Sequence, residues 1–396
     1  MKKYLFMVTP IVFLVLCAMR RVNILQGIFG EPITIVLATI LLSIIIAYIE
    51  RNAKHSALEK KVYYENLDIV RFLFAIFVLL VHMRPFLGYN DQLDLAFNNI
   101  AGRICVPIYF MTTGYFCANK LKHDPNYIKS YIKSMLPVYI VWSILYLPLG
   151  LEAINQMGIP QVAFPAALLV GFFYIGTYYH LWYFPALFLA LIILRWWIKH
   201  FSIRSLLILG LILLMFGASE TYYGMLPEGI QYILSTFYFK IFYTTRNFLF
   251  FGLFYVSLGY AIGTKRSTYV SYSFLKFLFS CMLLVFEAFL LQSINRLDSN
   301  IMLSCVPLAY YLFITLIHSK PIIKYRPLVS FRDLYKYYYF LHPAIIYLTA
   351  MFFLHYSNEF DGHYWIQIAI VIILVQALTY LIVFAKKRFP KALRHL

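Results

Sequence analysis

Of the chain's 396 residues, 62% are hydrophobic and 19% aromatic, while only 13% are charged. Soluble domains run at about 45–50% apolar and about 25% charged, so lipid has to solvate most of this surface and a soluble enzyme is excluded. The net charge of +18 comes without a basic groove or nucleic-acid motif, and the positive residues cluster between apolar runs, as in cytoplasmic loops.

A run of about 20 apolar residues crosses a bilayer core, and backbone groups in lipid must be satisfied within a helix or a closed barrel. The runs here are continuous rather than alternating, so the expected fold is all-α: a polytopic integral membrane protein of about twelve transmembrane helices. Spans are expected near 4–19, 33–49, 67–87, 104–118, 134–150, 181–198, 203–217, 247–263, 273–291, 301–318, 335–354 and 364–385. An extra apolar piece at 163–178 is read as re-entrant or interfacial. Were it a crossing, every later loop would change sides and the basic clusters would face outward. Left uncrossed, it puts the clusters at 51–61, 119–133, 195–204, 265–266, 320–336 and the tail from Lys386 on the cytoplasmic side, with both termini. Arg20 and Arg21 are the local exception.

The first 62 residues form a separable unit of two plain spans and a charged linker, and 63–396 form the main membrane domain. Cys17 follows a lysine pair and an apolar stretch, but Leu14-Val15-Leu16 lacks the small residues of a lipoprotein cleavage site, so an uncleaved first span is expected. The five cysteines show no CxxC spacing, which points to neither a zinc site nor a disulfide framework.

The third span carries polar groups that lipid penalises by at least about 2.5–3.5 kcal/mol each. Arg71 and His82 are eleven positions apart, which leaves them only about 20° apart around a helix and about 16 Å apart along it. Asp68 precedes Arg71 by three positions, on the same face and within pairing reach. Taken alone, the Asp68–Arg71 pair also fits an interfacial cap with His82 reaching outward; three groups on one stripe favour function.

In the next span, Pro107 is expected to free a backbone carbonyl, and Thr113-Gly114 pairs a hydroxyl with a place for close approach. Packing explains both equally well. Further on stand His180, Trp182, Tyr183, Arg246-Asn247, Glu287 and His342-Pro343. Trp182, Tyr183 and the Tyr335–Tyr339 cluster also fit interfacial belts, the favoured reading for most of the tyrosines. Glu287 lies in mid-span and calls for a cation such as Arg246 or Arg71. Gly259-x-x-x-Gly263 reads as a helix-packing motif.

The spacing Arg71-x10-His82, then Arg103-x3-Pro107-x2-Phe110-x3-Gly114, His180-Leu-Trp182, Arg246 and Tyr339-x2-His342-Pro343 resembles the acyltransferase-3 family of membrane acyltransferases over roughly 65–385. The wording Tyr179-His180-Leu-Trp182-Tyr-Phe-Pro-Ala with Thr245-Arg246-Asn247 is similar to the membrane half of the VanT-type serine racemases. Their pyridoxal-phosphate racemase domain does not follow before Leu396, so racemase activity is not expected to carry over. The family resemblance implies transfer of an acyl group, usually acetyl, from cytoplasmic acyl-CoA to a hydroxyl of a cell-envelope glycan or similar acceptor. It also implies that Arg71 and His82 are the essential pair. The family's usual Ser-Gly is Thr113-Gly114 here, which keeps a hydroxyl and removes serine itself.

The expected mechanism has His82 as general base or acyl carrier, Arg71 on CoA phosphates or developing oxyanion charge, and Asp68 orienting Arg71. Arg103, Thr113, His180, Trp182, Arg246, Glu287 and His342 are the expected substrate-binding set, with Arg103 and Arg246 completing a cationic donor site. Acyl-CoA is a donor substrate rather than a resident cofactor. The expected partners are the bilayer of a bacterial plasma membrane, acyl-CoA and the hydroxyl acceptor, with no metal and no nucleic acid. A transporter for a small substrate such as L-serine fits broken helices and buried charges equally well, and a non-catalytic membrane scaffold is the third reading.

Overall fold

The computed structural model describes residues 64–87, 94, 98, 102–265, 270–292, 296–320, 329–356, 364–391 and 393–396. The two N-terminal spans, Cys17 and the Arg20–Arg21 pair lie outside the described residues. Among those described, the regular structure is entirely helical.

Helix α1 runs Glu65–Met83. Glu65 and Asp68 in its first turn favour the positive end of the helix dipole, and Arg84 ends it in a left-handed conformation at φ 50°, just before Pro85. Helix α2 is Cys105–Leu121. Pro107 falls in its first turn, where backbone N–H groups have no intrahelical acceptor to lose, so the expected freed carbonyl does not arise. Helices α3 (Tyr127–Leu145) and α4 (Leu147–Gln156) meet at a 60° bend, so the span expected at 134–150 is broken at Tyr146. The apolar piece placed at 163–178 is helical over Gln161–Ile175 (α5), shorter than the length that crosses a bilayer.

Helices α6 (Tyr183–His200) and α7 (Ile203–Gly217) follow, the latter capped by the Ser202 hydroxyl accepting from Ser205 N at 3.2 Å. A short helical stretch, α8, covers 228–242. Helix α9 (Phe248–Gly263) opens with a π turn, where Asn247 Oδ1 accepts from Leu249 N and Phe250 N at 2.9 and 3.0 Å. Helices α10 (Ser273–Gln292), α11 (Cys305–His318), α12 (Phe331–Tyr356) and α13 (Tyr364–Arg388) complete the order. Among the described residues, four helices are long and apolar enough to cross a membrane, five if the bent α3–α4 pair is one span, and α5, α9 and α11 are shorter apolar helices.

Two devices hold the helices around the site. Helices α2 and α9 cross with backbones touching: a Cβ on Gly114 would lie 2.0 Å from Val256 O, and one on Gly259 would lie 2.0 Å from Met111 O. Small residues allow this approach, which brings dispersion and backbone dipoles close where lipid gives no hydrophobic drive. In α12, Pro343 interrupts the hydrogen-bond ladder. The Tyr146 hydroxyl, at the α3–α4 bend, donates to Phe340 O at 2.6 Å and accepts from Ala344 N at 3.2 Å, bridging the turn that holds the proline. One large apolar cluster joins α2, α6, α7, α9, α10 and α11. Smaller ones join α3 with α6 and α12, and α1 with α12 and α13.

Candidate active site

Helices α1, α2, α3, α6, α9 and α12 enclose a cavity of about 420 Å³. Of the residues singled out by the sequence, Arg71, His82, Arg103, Thr113, His180, Trp182 and Arg246 line it. His342 stands directly behind His82, and Asp68 behind Arg71. Glu287 is not among the lining residues.

Arg71 sits near the start of α1. Its guanidinium lies 4.0 Å from the Tyr335 ring centre and 5.4 Å from that of Tyr109, an aromatic cradle that favours a planar cation. The Tyr109 hydroxyl donates to Arg71 O at 2.5 Å. Asp68 is shared: its carboxylate is 3.6 Å from Arg71 Nη1 and 2.9 Å from Arg332 Nε. Arg332 and Lys336, one helical turn apart on α12, line the cavity at this end with Asp333. The basic segment 320–336 was informative for topology, and nothing in its spacing tied Arg332 or Lys336 to Arg71.

His82 lies in the last turn of α1, surrounded by protein but with an accessible ring because it faces the cavity. The His342 ring stacks on it at 5.4 Å between centroids, and the Tyr179 ring lies at 4.7 Å. His342 Nδ1 is 2.8 Å from Tyr338 O. A carbonyl only accepts, so this nitrogen carries the proton and Nε2 is the ring's acceptor in the neutral form. His180, 3% exposed, comes in on the turn that follows Gly176. That glycine has φ +84°, and a Cβ there would lie 2.3 Å from Trp182 N, so only glycine lets the turn fold under α6. Tyr339 donates to His180 O at 2.6 Å.

Arg103 and Arg246 line the same cavity as Arg71 and His82. Both precede helices, α2 and α9. Tyr64, just before α1, packs on Tyr115 and Phe116 near the end of α2, so α2 starts towards the His82 end. Helix α9 runs alongside it, Gly252 by Phe110 and Gly263 by Ala118. Arg103 Nη1 donates to Asn300 Oδ1 at 3.2 Å. Arg246 lies 5.2 Å from the Trp182 ring centre, on a turn held by Glu220, whose carboxylate accepts from Thr245 N at 3.1 Å and from the Thr245 hydroxyl. Glu220 escaped the sequence reading because it lies in an irregular stretch after α7, far in sequence from Thr245.

Glu287 corrects another expectation. It is 1% exposed, yet pairs with neither Arg246 nor Arg71. It accepts from Leu303 N at 2.7 Å and Ser304 N at 2.9 Å, and from the Tyr222 hydroxyl. Backbone amides at the start of α11 offer the partial positive charge that a carboxylate wants, so no cation is needed. Thr113 lines the cavity, but its hydroxyl proton goes to Tyr109 O at 3.2 Å, one turn back. The belt reading misplaced Trp182, Tyr183, Tyr335 and Tyr339, which line the cavity, as Tyr109 does.

Among the described residues, this is a helical membrane protein with guanidinium groups and an imidazole facing one cavity. The chain matches the model of the acyltransferase domain family over residues 64–384 and belongs to that acyltransferase family. Two amino-acid racemases of Enterococcus faecalis are each 27% identical to it, over 266 residues (64% of this chain, 36% of the relative) and 293 residues (71% and 41%). A serine/alanine racemase of Enterococcus gallinarum is 27% identical over 300 residues, 71% of this chain and 41% of the relative. The chain thus spans less than half the length of these relatives. No solved structure matches it.

Proposed function

We propose that this protein moves an acyl group, acetyl in the first instance, from cytoplasmic acyl-CoA to a hydroxyl of a cell-envelope glycan or related acceptor, in a bacterial plasma membrane. The observation that carries this reading is one cavity with Arg71 towards one end of α1 and His82 towards the other. The basic loops orient the Asp68 end to the cytosol. There Arg71, Arg332 and Lys336 take the CoA phosphates, and the pantetheine arm extends along α1 towards His82.

His82 removes the proton of the acceptor hydroxyl as its oxygen attacks the thioester carbonyl. A carbon–oxygen bond forms, the carbon–sulfur bond breaks, and the departing CoA sulfur takes the proton back from His82. Positioned general bases of this kind contribute about 10²–10⁴ in rate. His342 fixes the ring face against which His82 works, and Asp68 steadies Arg71.

The test is acetyl-CoA turnover, with acetylated envelope glycan as the readout, in membranes carrying the wild type or His82→Ala. A fall of about 10²-fold or more in the variant is expected; an unchanged rate sinks the mechanism. A second reading, transport of L-serine or a similar small substrate, is favoured by the racemase names of the relatives. Uptake of labelled serine into proteoliposomes, without acetyl-CoA turnover by the same preparation, would decide for it.

A further inference from the structure

The His82 end of the cavity holds hydrogen-bonding capacity that the protein itself does not use. Arg246 has no hydrogen-bonded or ion-paired partner for its guanidinium among the described residues, and its Nε is buried. His180 is buried, and neither ring nitrogen has a partner among the described residues. Arg103, held by Asn300, brings a second guanidinium to the same end. The Arg71 end is different, because Asp68 faces both Arg71 and Arg332 there.

The carboxylates that act on Arg246 are Asp298 and Glu220, and Asp298 acts on Arg103 as well; neither lines the cavity. Asp298 is engaged by Ser299 N and the Asn300 amide, and Glu220 by Thr245. Buried polar groups in folded proteins almost always have partners, and a cation withdrawn from water persists where an anion or strong acceptors offset its desolvation. Two guanidinium forks beside a cavity, with no carboxylate among the described residues of that part of its wall, match the planar or tetrahedral oxygens of an anion.

We propose that the His82 end of the cavity is an oxyanion-binding station, and that the acceptor whose hydroxyl meets His82 also bears a carboxylate or phosphate held by Arg246 and Arg103. The hydroxyl half of this statement rests on the acyltransferase reading; the station itself does not. Neutral polyols and sugars lack the group that these arginines address, so the acceptor class narrows to acidic sugars, phosphate-bearing glycans and small hydroxy acids.

The experiment is binding of matched pairs to the full chain in lipid nanodiscs, by calorimetry: methyl glucuronoside against methyl glucoside, and glycerol 3-phosphate against glycerol. The charged member of one pair is expected to bind about 10- to 100-fold tighter, the ratio for about one charge-assisted hydrogen bond. Whichever pair shows it separates carboxylate from phosphate. R246Q is expected to bring the ratio close to one. Because loss of Arg246 can also disturb the fold, N300D provides an independent probe: it sets a carboxylate against Arg103 and is expected to erode the preference with Arg246 in place.

Equal binding within both pairs, no saturable binding of any member, or a preference unchanged in both variants overturns the station. Acetyl-CoA turnover with the same compounds is scored separately. A station that survives without turnover refutes the acyltransferase reading alone. Turnover on neutral acceptors, with no anion preference, refutes the station alone.

Discussion

His342 lies nearly parallel to His82, with ring centroids 5.4 Å apart and planes 18° from parallel. It is itself tied by Nδ1 to Tyr338 O at 2.8 Å. One imidazole thus rests on a second one that the helix backbone holds still. His342→Gln keeps a donor and removes the flat ring. It is expected to lower kcat by about 10²-fold, the scale of an ångström-sized misplacement, with little change in KM for acyl-CoA. A stopped assay over both substrate concentrations checks the split, and equal changes in kcat and KM would count against a positioning role.

Arg71 lies against the Tyr335 and Tyr109 rings. Arg71→Lys keeps the charge but loses the planar fork and its stacking. The expected result is a KM for acyl-CoA raised about tenfold, corresponding to about 1.4 kcal/mol of binding. Tyr335→Leu should move KM in the same direction by less. An Arg71→Lys enzyme with wild-type KM would remove Arg71 from the donor site.

Gly259 meets Met111 O so closely that any Cβ must push α2 and α9 apart. Gly259→Ala is expected to destabilise the protein by about 1–3 kcal/mol, and Gly259→Leu to prevent accumulation. Thermal unfolding in detergent, read by loss of monomer on size-exclusion chromatography, measures the effect.

Glu287 accepts from two backbone amides and a tyrosine hydroxyl and does not line the cavity. Glu287→Ala leaves those buried donors unsatisfied, at about 1–3 kcal/mol for each. A lower melting temperature with unchanged KM values in the surviving protein is expected. A selective rise in KM for either substrate would instead place Glu287 in the site.

The helical repeat made the relation of Arg71 to His82 legible, since both face one direction on α1 whatever packs against it. The glycines were legible in kind: Gly114 and Gly259-x-x-x-Gly263 signalled close approach without naming each other as partners. Pro107 was misjudged because a proline's effect depends on where the helix starts, and Cys105 begins it only two residues earlier. Glu287 was misjudged because a carboxylate is answered as well by backbone N–H groups as by a cation, and backbone groups leave no mark in composition.

What the sequence determined by itself is the solvent of the chain and the stripe on α1. Apolar content leaves lipid as the surrounding medium, and 3.6 residues per turn aligns the ionisable groups. The tertiary structure alone decided the company those groups keep. It set Arg332 and Tyr335 beside Arg71, although more than 250 residues of chain lie between them. It also put Arg246, Arg103 and His180 at the His82 end. Such pairings come from helix crossings and turns, where the contacts that matter are between distant parts of the chain and no local periodicity records them.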